Sequence, residues 1–201
     1  MTPLTNKTQK RNTVKASKIF GDYLVMLLAP CILSVIYYGT RAFYVIFISI
    51  LSAVICDFAA SIMLKKRFLI KDLSNIFIGT AIAVMMPAGV PFYVPAIASA
   101  AGVMTAKIPF GGSLRAPFVP AAAGFAIASV CFKEQVFTYT ENTADKLMGP
   151  QSLASLLAEG NSMHLNTGNL FDIAVGNIAG PMGTGCGILM VICGCYLFVR
   201  R

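Results

Sequence analysis

Most of the sixteen Lys and Arg residues fall in four short clusters, Lys7 to Lys18, Lys65 to Lys71, Lys107 with Arg115, and Arg200 with Arg201, and long apolar stretches separate them. A chain patterned in this way returns to one side of a membrane after successive apolar runs, because loops beside spans carry their basic excess on the cytoplasmic face. With 57% apolar and 12% charged residues, 201 residues cannot hide their apolar surface in a soluble core, so lipid must cover much of it. The net charge of +8 then reads as topology and attraction to anionic lipid. No Lys/Arg stripe is interleaved with aromatics in a soluble segment, which argues against a nucleic-acid partner.

Spans follow from length, since about 20 helical residues cross ~30 Å of hydrocarbon. The first eighteen residues, MTPLTNKTQKRNTVKASK, form a basic cytoplasmic arm without a span. The apolar run behind them exceeds the ~7–15 residues of a signal-peptide core, and no small-x-small cleavage pattern follows it. Ile19 to Tyr38 leaves the cytoplasm, Gly39-Thr40-Arg41 turns outside, and Ala42 to Leu64 returns to Lys65-Lys66-Arg67. Residues 68–74 are amphipathic and suit the inner interface.

The next two spans, Asn75 to Val90 and Phe92 to Ala106, are interrupted by Pro87, Gly89, Pro91 and Pro95. Such breaks free backbone groups that hydrocarbon cannot satisfy, so they face protein or a polar cavity, or else lie as kinks at the membrane edge. In transport folds, short broken spans mark binding regions. A fifth span covers Ala116 to Phe132, residues 133–169 form an outer loop with four acids, and residues 170–201 hold a re-entrant turn at 176–187 before a final span. The expected architecture is an all-α polytopic membrane protein of about six spans, five of them within 19–132, with both termini cytoplasmic. GPMGTGCG at 180–187 lacks the Lys of a P-loop and the βαβ context of a dinucleotide fold, and close helix packing explains it better.

Six cysteines sit in or at the ends of apolar runs, where a thiol behaves as a small hydrophobe, and none is placed for a disulfide. A redox centre shared with another subunit stays open. His164 has no ligand pattern around it, so no metal site and no catalytic triad is expected. Asp22 has Lys18 one turn away, and Asp172 opens the last apolar stretch. Asp57 is different, since it lies about two turns, roughly 10 Å, from Lys65 and deep enough that an unpaired carboxylate is costly. It is the candidate for a coupling-ion or proton path, the alternative being snorkelling or pairing with another subunit.

Residues 65–132 carry PAGVPFYVP, then FGG followed by FVPAAAGFA, and GNIAGPMG comes after them at 176–183. In this order the chain resembles the D subunit of Rnf-type electron-transport complexes and the related B subunit of sodium-pumping NADH:quinone reductase. The resemblance implies a flavoprotein membrane subunit of a complex that couples electron transfer to Na⁺ or H⁺ translocation, not catalytic alone. It implies one half of a urea-transporter-like fold, with other subunits, and a second half-chain or self-association, as partners. It also implies FMN, held through a phosphoester to a Thr in a segment resembling D-x-x-S-G-A-T-P-L-A.

Here that segment reads Asp145-Lys146-Leu147-Met148-Gly149-Pro150-Gln151-Ser152-Leu153-Ala154. Gln151 stands in place of the Thr and has no hydroxyl to esterify; Ser152 offers one a residue later, pointing in another direction. Gly149, Gln151 and Ser152 are therefore the candidate, degenerate flavin positions. Val119 and Gly124 replace an Asn and an Arg of the family pattern, and Thr184 replaces an acid. The expectation is an inner-membrane Rnf-like subunit without covalent FMN. The alternatives are a channel-like or transporter-like protein of related fold that has lost redox chemistry, and a degenerate product without function.

Overall fold

A computed structural model describes residues 3–63, 73–110, 116–138, 180–183 and 187–200, which form helices and turns with no strand among them. Helix α1 spans Pro3–Met63, and Gly39 interrupts it with φ 65° and ψ −150°, a conformation strained for any residue with a Cβ. Its apolar part, Gly21–Met63, is the one helix among the described residues long and apolar enough to cross a membrane. At ~1.5 Å per residue those 43 residues measure about 65 Å, twice the ~30 Å of hydrocarbon. Gly39 falls near the middle, where the sequence places an outer turn, so each arm has one membrane's length. The basic arm ahead of the first arm is helical and continuous with it.

Helix α2 spans Leu73–Met85, α3 Tyr93–Gly102, α4 Pro120–Cys131, α5 Lys133–Val136 and α6 Gly187–Arg200. A π-helical turn, Val103–Lys107, continues α3 and is closed by Ile108 N–H donating to Val103 O at 3.1 Å. Prolines set most of these limits. Pro87 has no N–H to extend α2, so residues 86–92 turn instead, with Val90 N–H donating to Pro87 O and Val94 N–H to Pro91 O. Pro95 sits in the first turn of α3, where a missing donor costs nothing. Pro120 opens α4 after Val119, extended at φ −67° and ψ 122° as the residue before a proline prefers. The helical parts of the third, fourth and fifth apolar stretches are accordingly shorter than the stretches themselves. Residues 64–72, which include most of the expected interfacial segment, and 139–179 lie outside the described residues.

The arm of α1 after Gly39 buries Ala42, Val45, Ser49, Ala53 and Asp57, a stripe at helical spacing of three or four. It packs on α2 and α3, whose Ile78, Ile82, Val94 and Ala98 are wholly buried, as is Met86 directly after α2. Phe43, Phe47, Leu51, Ile55, Phe58 and Ile62 are exposed on its other side, an apolar surface suited to lipid. Side chains on the packed side tie the helices through backbone oxygens: Ser49 Oγ donates to Gly79 O at 2.7 Å, Ser52 Oγ to Ala96 O at 2.7 Å, and Cys56 Sγ to Ala100 O at 3.7 Å. Hydroxyls at helix interfaces act in this way where water is absent.

The two broken regions meet. Gly183 N–H donates to Val84 O at 2.8 Å and Met182 N–H to Met86 O at 3.1 Å, so the segment before α6 supplies donors to the end of α2 that Pro87 and the turn after it leave without helical partners. The Ser34 hydroxyl lies 2.9 Å from Met182 O and 2.7 Å from Pro30 O. A Cβ at Gly183 would fall 1.8 Å from Val84 Cγ1, so only glycine admits this approach. Pro30 in turn deprives Met26 O of its helical donor, and Cys193 Sγ of α6 stands 3.9 Å from that oxygen. Arg41 Nη2 donates to Gly89 O at 3.2 Å and holds the turn after α2.

Helices α3 and α4 touch backbone to backbone. A Cβ on Gly124 would lie 2.4 Å from Ala98 O and 3.1 Å from Gly102 Cα, whereas nothing lies within 4 Å of a Cβ on Gly194 in α6. Gly124→Ala is expected to destabilise the protein by ~1–3 kcal/mol through overpacking, while Gly194→Ala is neutral or stabilising by up to ~1 kcal/mol from helix propensity. Denaturant unfolding of the two variants in the same detergent checks the contrast.

Candidate functional site

Asp57 continues the buried stripe of α1 by one more turn, and that register, not depth alone, carries its carboxylate into the protein and away from lipid. Asn75 belongs to the first turn of α2, and Lys107 is the last residue of the π-turn. The three side chains converge, with Asp57 9%, Asn75 3% and Lys107 5% exposed. Asn75 Nδ2 donates to Asp57 Oδ2 at 2.8 Å, Lys107 Nζ lies 3.2 Å from the same oxygen, and Lys107 Nζ also donates to Asn75 Oδ1. Asn75 thus offers its amide hydrogen to the anion and its amide oxygen to the cation, which orients both charges.

The π-turn has a direct part in this. A π-turn carries one residue more than the α-turn it replaces, which shifts the facing of later residues by about 100°. Lys107 ends that turn and faces Asp57 and Asn75. An ion pair shut away from water loses hydration worth several kcal/mol per ion and persists where further hydrogen bonds complete it, as Asn75 does here. The arrangement holds one positive charge between two oxygens on separate helices.

The sequence singles out Asp57 but not its partners. Lys107 reads as one of the loop-flanking basic residues, yet it is buried, because the carboxylate opposite compensates its charge. The signal for Asp57 facing inward is present in the sequence: the spacing of Ala42, Val45, Ser49 and Ala53 extends to position 57. No residue pattern marks the π-turn. The degenerate flavin positions Gly149, Gln151 and Ser152 lie outside the described residues, as do His164, Asp172 and Thr184. Gly124 is closed to any side chain by Ala98 O and Gly102. Among the described residues no three His, Cys, Asp or Glu side chains come together.

A helical bundle with apolar outer faces, two chain breaks satisfied by each other and a buried charge pair bridging three helical segments is a membrane-type architecture. The chain belongs to the NQR2, RnfD, RnfE family, whose model matches residues 4–201. This bears out the resemblance read from residues 65–132 and 176–183. Over 193 residues the chain is 28% identical to the D subunit of the proton-translocating ferredoxin:NAD(+) oxidoreductase complex of Clostridium ljungdahlii, covering 92% of this chain and 58% of that protein. Over 120 residues it is 28% identical to the D subunit of the ion-translocating oxidoreductase complex of Mannheimia succiniciproducens, covering 58% of this chain and 34% of that one. The chain spans little more than half the length of the longer-matched relative.

Removing one member of the pair leaves the other charge buried alone. Asp57→Ala is expected to cost ~3–5 kcal/mol, and the double variant Asp57→Ala with Lys107→Ala is expected to cost clearly less than the two single losses combined. A double-mutant cycle of unfolding free energies in detergent measures the coupling.

Proposed function

We propose that the chain is a membrane subunit of an Rnf-like complex that couples electron transfer to translocation of Na⁺ or H⁺, and that Asp57 lies on the ion path. The observation that carries this reading is the buried Asp57–Asn75–Lys107 cluster in a chain of the NQR2, RnfD, RnfE family. A carboxylate inside an apolar bundle is costly, and such residues mark ion or proton routes in membrane proteins. The partners are the other subunits of the complex, and the setting is the inner membrane with both termini cytoplasmic.

FMN is the cofactor that the family implies. Covalent attachment does not fit this chain at the expected position, since an amide at Gln151 cannot form the phosphoester that a Thr hydroxyl forms. What its own residues do is hold a charge: Asp57 supplies the anion, Asn75 orients it, and Lys107 compensates it in the resting arrangement. The exposed side of α1 provides surface for lipid and neighbouring subunits.

Two measurements test this. The chain, expressed with its neighbouring subunits and a flavin transferase, is expected to copurify with those subunits and to show no flavin fluorescence on denaturing gels; fluorescence lost on Ser152→Ala would show that the adjacent hydroxyl serves instead. In the reconstituted complex, Asp57→Asn is expected to lower the rate of ion uptake by about tenfold, equivalent to ~1.4 kcal/mol, with assembly retained. Unchanged uptake in that variant would remove Asp57 from the path. Solute flux through the chain alone in liposomes would favour a channel in place of a redox subunit.

A further inference from the structure

We propose that Asp57 and Asn75 form a site for one monovalent alkali cation, and that the Lys107 ammonium fills this site as a tethered counter-cation when no such ion is bound. The inference deepens the ion-path reading of Asp57 and rests on it. Its starting point is the convergence of Asp57 Oδ2, 3.2 Å from Nζ, and Asn75 Oδ1 on one point of positive charge. Carboxylate and amide oxygens are the donors that hard cations take. Asp57 and Asn75 come from different helices and are tied to each other by the 2.8 Å bond from Asn75 Nδ2 to Asp57 Oδ2, so two donors stay in place without the lysine.

Lysine suits a removable occupant. Its charge is compact, carried on a flexible four-carbon stem, and it leaves by rotation about its own bonds without moving α1 or α2. The π-turn offers a second route, because its conversion to α-helical geometry turns Lys107 by about 100° and takes the ammonium from the carboxylate. A free cation and the ammonium cannot both stand against Asp57 Oδ2, since like charges at that distance repel in a dry interior. Entry of the ion and withdrawal of Lys107 are therefore one event. A cation passing through the site displaces the lysine, and the lysine's return expels the cation.

The experiment uses the full chain in lipid nanodiscs, with thermal unfolding read in NaCl, KCl or N-methyl-D-glucamine chloride at equal ionic strength. Lys107→Met leaves Asp57 without its ammonium. It is expected to melt about 5–10 °C higher when Na⁺ or K⁺ is present at 100 times its dissociation constant than in N-methyl-D-glucamine, which is too large for the site. The native chain is expected to melt alike in all three salts, as is the double variant Asp57→Asn with Lys107→Met. The proposal is overturned if Lys107→Met responds equally to all three cations or folds in none of them. It is equally overturned if the native chain or the double variant shows the same preference for the small cations. Because the measurement reads occupancy without turnover, a site that binds Na⁺ in a complex whose uptake ignores Asp57→Asn would refute the ion path and leave the site standing.

Discussion

A backbone carbonyl without a donor has no partner in hydrocarbon, and this one constraint organises the bundle. Proline interrupts the helical ladder at positions 30 and 87, and each interruption is matched by a specific group from elsewhere in the chain. Met26 O is met by Cys193 Sγ, and Val84 O and Met86 O by the amides of Gly183 and Met182. These donors come from the far end of the sequence, from α6 and the segment before it, so chain breaks more than ninety residues apart close one another. The hydroxyls of Ser49 and Ser52 extend the same logic between intact helices, and that of Ser34 reaches from α1 to Met182 O in the segment before α6.

The charged cluster obeys the corresponding rule for side chains. Asp57 on α1 and Lys107 on the π-turn compensate each other, and Asn75 on α2 satisfies both. The cluster joins three segments, two of which a small residue also brings close: a Cβ on Gly79 of α2 would fall 2.7 Å from Ile50 Cα of α1. Helices α3 and α4 meet in the same way at Gly102 and Gly124, where no room is left for a Cβ.

Much of the fold was legible in the residues. Basic clusters and run lengths predicted the apolar segments, Gly39 the turn between the first two, and Pro87 and Pro91 the later breaks, because these residues act through their own backbone; the fifth span was expected from Ala116, whereas α4 begins at Pro120. Asp57 was legible as a costly acid. Its partners were not, because Lys107 comes after an apolar run with nothing in the local pattern to tell a loop lysine from a buried one. A π-turn depends on how a helix is held at both ends, and composition does not record that.

The sequence by itself determined the membrane class, the family, the positions of the chain breaks and the absence of a hydroxyl at Gln151, all of which depend on the chemistry of single residues or on periodicity along the chain. Only the tertiary structure decided which breaks close each other and which cation stands against Asp57. Those pairings join residues up to 167 positions apart, Met26 and Cys193 among them, and geometry at that separation is set by packing rather than by any local preference.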